Sequence, residues 1–422
     1  MPYKVACSMK TLVHEDCSRT SREEDQSPTY DPKKYYPARI GETISDKYRL
    51  ISKLGWDANS ITWLAKDIKR WKWQSNQYAT IKITNYGEAE QESAQKELEI
   101  LRHISRLQAS SAHKGRRYVQ TIKDCFRIQG AIDEHLCLVY EPMREPLSRY
   151  LSRIEVPPAV LKPFLKPLLL GLDFLHSECR VIHTDLTAES ISIGFENTSL
   201  LDTYTWHQEQ NPAPFKTVAG HPIYQSRSDF GPLRKPIRRI QISNFTTAVF
   251  GNTFLSPNHQ IQSAPFSAPE VLLKASWSYA ADIWNLGALI WDLLANTALF
   301  TGRDPLTNIY CPATHLTQII RLLGPIPKEM IQRAHWILSS ALFSRTTENT
   351  SFSFSICAPR EEFFTFESRV MFVDGEEKML LIAFARRILK WIPEERAAAG
   401  GNYMMIHGSI SRRDAKLQKL EN

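Results

Sequence analysis

The chain has 422 residues, 43% hydrophobic and 23% charged, which is ordinary globular composition in a length that exceeds one compact core, so two lobes with appendages are expected. No apolar run is long enough to cross a bilayer, the richest, Leu286 to Leu294, being broken by Asp292, and no signal-peptide core opens the chain, so no membrane contact is expected. The net charge of +7 has no dense Lys/Arg block behind it, so no direct nucleic-acid contact is expected, and seven scattered cysteines without a Cys-x-x-Cys pair point to free thiols in a reducing compartment, cytoplasm or nucleus.

Residues 1–37 are polar, mixed in charge and aperiodic, and read as a disordered leader. From Lys47 the pattern turns strand-like: Tyr48-Arg49-Leu50-Ile51 and Ile61-Thr62-Trp63-Leu64-Ala65, joined through Gly55, then Tyr78-Ala79-Thr80-Ile81-Lys82-Ile83. Glu88 to Leu107 is rich in helix formers and sets Ala94, Leu98, Leu101 and Ile104 on one face. Two more strands near Val119–Ile128 and Leu136–Glu141 complete a strand-rich lobe over residues 38–141 with one main helix. Residues 142–410 read as a mainly helical lobe. In it Leu161 to His176 is apolar and periodic, with Pro163 and Pro167 confining regular helix to its later turns. Tyr279 to Ala295 reads as a buried helix, followed by helices at His315–Leu323 and Lys378–Trp391. The Pro/Ser/Asn-rich residues 195–237 read as a long insertion, and residues 411–422 as a charged tail. The fold class is therefore α+β.

Several segments carry chemistry. In Val181-Ile182-His183-Thr184-Asp185-Leu186, an Asp held on a loop just after an apolar helix can accept a hydroxyl proton and orient that hydroxyl for attack. Lys82, on a strand, can hold the phosphates of a nucleotide, and a helix Glu can fix that Lys by an ion pair. Glu90, Glu92, Glu97 and Glu99 are the candidates for that Glu. Further on come Ser267-Ala268-Pro269-Glu270-Val271, Ala281-Asp282-Ile283-Trp284-Asn285-Leu286-Gly287 and Trp391-Ile392-Pro393-Glu394-Glu395-Arg396. Singly these are a turn, a buried helix and a surface loop.

Together, in this order, they resemble the eukaryotic protein kinases, with Ala79-Thr80-Ile81-Lys82 matching the family's Val-Ala-Ile-Lys and His183-Thr184-Asp185 its catalytic loop. Tyr35-Tyr36-Pro37-Ala38-Arg39-Ile40-Gly41, Leu54-Gly55-Trp56, His135-Leu136-Cys137-Leu138-Val139-Tyr140-Glu141-Pro142 and Pro222-Ile223-Tyr224 narrow the resemblance to SR-protein kinases, most closely fungal ones, over roughly Tyr35 to Gly400. The resemblance implies a bilobal protein-kinase-like fold, a small β-rich N-lobe beside a larger helical C-lobe. It implies a serine/threonine kinase using ATP and Mg²⁺. Asp185 would be the catalytic base, with Leu54, Gly55, Thr62, Lys82, Glu97, Glu141 and Met143 around the nucleotide. Glu270 would pair with Arg396, and Asp282 would brace the catalytic loop. Thr184 replaces the Arg that grips a phosphorylated activation segment, which implies no switching of that kind. Protein substrates rich in Arg and Ser, and with them regulation of mRNA splicing, are implied. Yet Thr301–Met330, near the family's docking region, carries only Asp304 and Glu329 against Arg303, Arg321 and Lys328.

The metal positions depart from the family. Asp229-Phe230-Gly231 matches the metal-binding triplet literally, but no alternating strand precedes it, Pro232 follows it, and it lies 41 residues before Glu270. Ile240-Gln241-Ile242-Ser243-Asn244-Phe245-Thr246 fits better, which puts Asn244 at the metal-binding Asp and Thr246 at the Gly. The second metal ligand is Ser190, and Thr187 stands where a Lys contacts the transferred phosphate. Asp57 occupies a phosphate-loop Gly position, where its carboxylate would repel phosphate, and Thr80 crowds the adenine wall. A weakened metal site at Asn244 and Ser190 is the expectation. Two functions remain open: a kinase of reduced activity, and a pseudokinase that binds nucleotide or scaffolds partners. Oligomeric state is not readable from the sequence.

Overall fold

The computed structural model describes residues 23–28, 30–69, 76–153, 158–233, 239–251, 261–295, 297–334, 343–344, 353–354, 365–371 and 373–401. The expected tail at 411–422 lies outside them. The chain divides into two compact units. The first gathers the described residues up to Ala94 with Lys123–Pro142 and Asn197–Leu233; the second gathers Gln95–Ile122, Met143–Glu196 and the described residues of Arg234–Asn422.

The first unit is built on a six-stranded sheet. Its strands are β1 (Thr43–Ile44), β2 (Tyr48–Asp57), β3 (Ser60–Asp67), β4 (Tyr78–Thr84), β5 (Ile122–Gln129) and β6 (Glu134–Tyr140), in the order β1-β2-β3-β4-β6-β5. Leu50, Trp63, Ile81 and Val139 form its core, as their apolar, β-favouring side chains dictate. A two-residue turn joins β2 to β3, and Asp57 accepts from the Asn59 backbone N–H and the Ser60 hydroxyl, both at 2.7 Å. The carboxylate that the sequence sets against phosphate is thus folded back as the cap of its own turn.

Two expectations need correction here. The described residues of the expected leader, 23–28 and 30–37, are ordered: Glu23 and Glu24, 4% and 2% exposed, pair with the buried ammonium of Lys53 on β2. Tyr35 and Ala38 enter the sheet's core. Nor does the body of the insertion belong to the helical unit: Asn197–Leu233 group with the sheet. It folds as a helix, α4 (Ser199–Gln210), and a hairpin, β10 (Phe215–Val218) with β11 (His221–Tyr224). Tyr204 and Ser52 share a 2.9 Å hydroxyl contact, the Tyr78 hydroxyl donates to Asp202, and Tyr224 stands edge-on to Trp63. Buried aromatic anchors of this kind outweigh the polar composition between them.

The second unit is mainly helical. Its long helix α1 (Glu88–Ser110) enters from the first unit and buries Leu98, Leu101 and Ile104 on the expected face. Helices α2 (Leu147–Arg153) and α3 (Pro158–Asp173) follow, then, after α4, α5 (Pro269–Leu272), α6 (Ala280–Ala295), α7 (Pro312–Leu323), α8 (Lys328–Arg333), α9 (Phe366–Arg369) and α10 (Gly375–Ile388). Helix α3 runs through Pro163 and Pro167, against expectation. Burial of Leu168, Leu169 and Leu172 holds the helix despite the missing donors. Helix α6 buries Trp284, Leu286, Leu289 and Ile290 almost completely. No described helix is long and apolar enough to cross a membrane.

Short strands place the loops of this unit. Strands β7 (Glu145–Pro146), β9 (Ile191–Ile193) and β12 (Ile240–Ile242) form one ladder, and β8 (Val181–Ile182) pairs with β13 (Val249–Phe250) in another. Residues 183–190 link β8 to β9, and residues 243–248 link β12 to β13. Because β9 pairs with β12 and β8 with β13, these two loops must run side by side.

His315 of α7 is fully buried, with its Nδ1 3.0 Å from the Tyr310 hydroxyl, and burial pushes its pKa down to about 4. The unfolded chain takes up this proton first as pH falls, so stability present above about pH 6.5 is lost towards pH 4, by roughly 3 kcal/mol at most. Urea midpoints at pH 7 and 4.5 should differ less in His315→Gln than in the parent protein. An unchanged difference would show that His315 does not titrate on unfolding.

Candidate active site

The residues that the resemblance assigns to nucleotide binding fall on both units. In the first unit Gly55 pairs with Thr62, Thr62 with Lys82 and Lys82 with Leu138, so these residues form one row across the sheet and share a face. Leu54 sits at a register irregularity between Lys53 and Gly55. Leu54, Thr62, Lys82 and Glu141 are all half-buried. A Cβ on Gly55 would meet no atom within 4 Å, so packing does not require glycine here and the face is open for close approach of a ligand. Thr80 lies two residues from Lys82 on the same face, and its hydroxyl oxygen is buried without a hydrogen-bond partner. Such an orphan is unfavourable by about 1 kcal/mol or more. Thr80→Val should therefore raise the unfolding free energy of the ligand-free protein by about 1 kcal/mol in a urea titration; a loss would mean that the hydroxyl has a partner in solution.

The second unit holds the loop 183–190. Buried Asp282 of α6 accepts from the His183 and Thr184 backbone N–H groups, both at 2.8 Å, and lies 2.8 Å from His176 Nε2. His183 Nε2 sits 2.9 Å from the Ser243 carbonyl, and its ring packs edge-on against Phe245. Thr184 has a left-handed φ of 69° and donates its hydroxyl to the Thr247 carbonyl at 2.9 Å, fixing one loop to the other. Buried Thr184 thereby takes a structural place in the position where the resemblance expects a phosphate-gripping Arg.

Asp185 is half-buried at the turn so braced. Its Oδ1 accepts from both the backbone N–H and the hydroxyl of Ser263 at 2.8 Å. Sequence reasoning missed Ser263, because nothing in spacing or periodicity separates it from nearby Ser267. It also missed Asn285, whose carbonyl oxygen receives the Leu186 N–H at 3.4 Å and whose amide donates to the Phe266 carbonyl at 2.9 Å.

Of the glutamates on α1, only Glu97 is buried, at 3% exposure. Glu92 and Glu99 are exposed, and Glu90 pairs with Lys34 at 2.6 Å. Met143 is half-buried at the start of the second unit. Asn244 sits just after β12, exposed and with a left-handed φ of 63°. The literal triplet Asp229-Phe230-Gly231 belongs to the first unit, where Phe230 packs on Tyr204 with ring centroids 4.5 Å apart and Asp229 accepts from the Gly231 N–H.

The structure does not support Ser190 as a metal ligand. Its hydroxyl is 1% exposed, accepts from the Thr187 N–H at 2.9 Å and donates to the Thr187 carbonyl at 3.0 Å, closing a short turn on itself. Among the described residues no group of three or more His, Cys, Asp or Glu side chains converges on a cation position. Asn244 offers a neutral amide where a hard cation prefers carboxylate. The side chains present therefore do not fit the Mg²⁺ that the resemblance implies.

No protein-family model matches the chain. A serine/threonine protein kinase of Aspergillus fumigatus is 32% identical over 393 residues, covering 89% of this chain and 88% of that protein. The serine/threonine-protein kinase SRPK of Physarum polycephalum is 26% identical over 334 residues, 74% of this chain and 75% of its own. Protein kinase dsk1 of Schizosaccharomyces pombe is 25% identical over 397 residues, 73% of this chain and 71% of its own.

Proposed function

The chain belongs to the serine/threonine protein kinases, and from that premise we propose that it transfers the terminal phosphoryl group of ATP to serine or threonine hydroxyls of protein substrates, at a reduced rate. The observation that carries this reading is Asp185, a carboxylate on a loop pinned by Asp282 that already accepts a hydroxyl, that of Ser263, at 2.8 Å. Both Ser263 bonds fall on Oδ1, which leaves Oδ2 to receive a substrate hydroxyl and its proton. Lys82 would hold the nucleotide phosphates on the face of the sheet that it shares with Gly55. Positioning and electrostatics supply most of the acceleration of phosphoryl transfer, so neutral Asn244 and inturned Ser190 account for the reduced rate.

The relatives named SRPK support Arg/Ser-rich proteins as the client class. The acids for such a client are sparse: Asp304 caps its own turn, accepting from the Leu306 and Thr307 N–H groups at 2.9 Å. A client less basic than those of the relatives fits this surface better.

Phosphorylation of an Arg-Ser peptide, and of a Ser peptide without Arg, should fall about a hundredfold in Asp185→Asn. Equal signals from parent and variant would remove the kinase reading. One observation favours a second reading, a pseudokinase: Ser190 is closed on Thr187 and cannot turn to a cation without breaking that cap. A thermal shift with ATP that Mg²⁺ does not alter, together with no phosphoryl transfer, is the result that reading expects.

A further inference from the structure

The loop after β12 carries two departures from the family pattern two residues apart, Asn244 and Thr246. The Thr246 hydroxyl oxygen stands 3.0 Å from the Asn244 side-chain oxygen and 3.2 Å from Oε2 of Glu97, all within the second unit. A hydroxyl has one proton, and a carboxylate and an amide oxygen are both acceptors, so one hydroxyl cannot serve both. The carboxylate has no donor to offer and makes the stronger, charge-assisted bond, so it takes the proton. The Asn244 amide must then present its NH₂ to Thr246, a half-turn that exchanges oxygen and nitrogen in nearly the same positions.

We infer that Thr246 is a positioning residue. It donates to Glu97 and accepts from the Asn244 amide, and so ties helix α1 to the loop between β12 and β13. Asparagine at 244 is what makes this possible. Aspartate there would set a second carboxylate on the same hydroxyl, with two acceptors and one proton between like charges, and glycine at 246 would supply no link. The two substitutions are therefore a matched pair and not two independent losses. The same half-turn directs the Asn244 carbonyl oxygen away from Thr246. The left-handed backbone at Asn244 suits the pair, since asparagine tolerates that region better than most residues.

The consequence for catalysis rests on the kinase reading, but the tie itself does not, so it is tested on the full chain without nucleotide. Hydrogen exchange of residues 95–104 should rise about tenfold in Thr246→Val, which keeps the shape and removes the hydroxyl, and stay within about twofold of the parent in Thr246→Ser. In thermal unfolding, Asn244→Asp should lower the midpoint when Thr246 is present and leave it nearly unchanged in the Thr246→Gly background. Parent-like exchange in Thr246→Val, or equal effects of Asn244→Asp in both backgrounds, overturns the inference. Should Thr246→Val not fold, the contrast between Thr246→Ser and Thr246→Gly decides in the same way. Failure of the parent to bind or use ATP would count against the kinase reading and leave the exchange result standing.

Discussion

Arg396→Met should lower the unfolding free energy by about 3–5 kcal/mol, a large part of what a domain has. Both side chains of the Arg396–Glu270 pair are 0% exposed, and the guanidinium meets the carboxylate through two parallel bonds of 2.6 Å. It also donates to the carbonyls of Ala280 and Lys390 at 2.9 and 3.0 Å, and its central carbon lies 5.0 Å from the Trp284 ring centre. Methionine fills much of the volume but leaves Glu270 a buried charge without a counter-ion and removes the guanidinium's bonds to the Ala280, Lys390 and Trp391 carbonyls. Removing both charges, in Arg396→Met with Glu270→Leu, should recover part of the loss, because apolar replacement of a whole buried pair is often near neutral. The Arg333–Glu394 pair, 44% and 66% exposed, is the internal contrast, and Arg333→Ala should change stability by less than about 1 kcal/mol. Urea denaturation of the four proteins decides this; similar losses for Arg396→Met and Arg333→Ala would show that burial does not govern the pair.

That pair also shows what a sequence can disclose about this fold. Glu270 and Arg396 lie 126 residues apart, and what implied their pairing was the resemblance of their two short motifs, in this order, to those of the protein kinases. The same holds for Asp282 and the loop at His183-Thr184-Asp185. What stayed hidden depends on partners that no local pattern names. Ser190 looks like a weakened ligand until its hydroxyl is seen closing on Thr187. Asp57 looks like an obstacle to phosphate until its own turn is seen to use it. Residues 195–237 read only as a Pro/Ser/Asn-rich insertion because nothing in their spacing marks Tyr204 and Tyr224, and the sheet they pack on is what buries them. Glu97 stood among rivals by spacing alone, and burial is what distinguishes it.

Lys53→Met should be comparably severe, about 3–5 kcal/mol, for a reason the sequence conceals entirely. Lys53 is 1% exposed, and its ammonium donates to Glu23 at 2.7 Å, to Glu24, and to the Tyr224 carbonyl at 3.1 Å. Glu23 also receives the backbone N–H and the hydroxyl of Ser226, both at 2.8 Å, and the Arg227 N–H donates to the Lys53 carbonyl. One buried cation thus joins the N-terminal segment, strand β2 and the insertion, one residue before Leu54 and Gly55. Mixed charge and the lack of periodicity made residues 1–37 read as a disordered leader; a single lysine facing inward from β2 reverses that for Glu23 and Glu24. Burial pushes the Glu24 carboxyl above its usual range, against the pull of Lys53. Without the lysine that pull disappears, so the folded variant binds protons more readily than the unfolded chain around pH 5. Its stability must then rise as pH falls, and the deficit against the parent should shrink below about pH 5. Adding Glu23→Gln and Glu24→Gln to Lys53→Met should restore part of the loss at pH 7 and remove the variant's own rise in stability as pH falls. A deficit that is the same at pH 7 and pH 4.5 would mean that the carboxylates reach water once the lysine is gone, and that the segment is held by Tyr35 and Ala38 and not by charge.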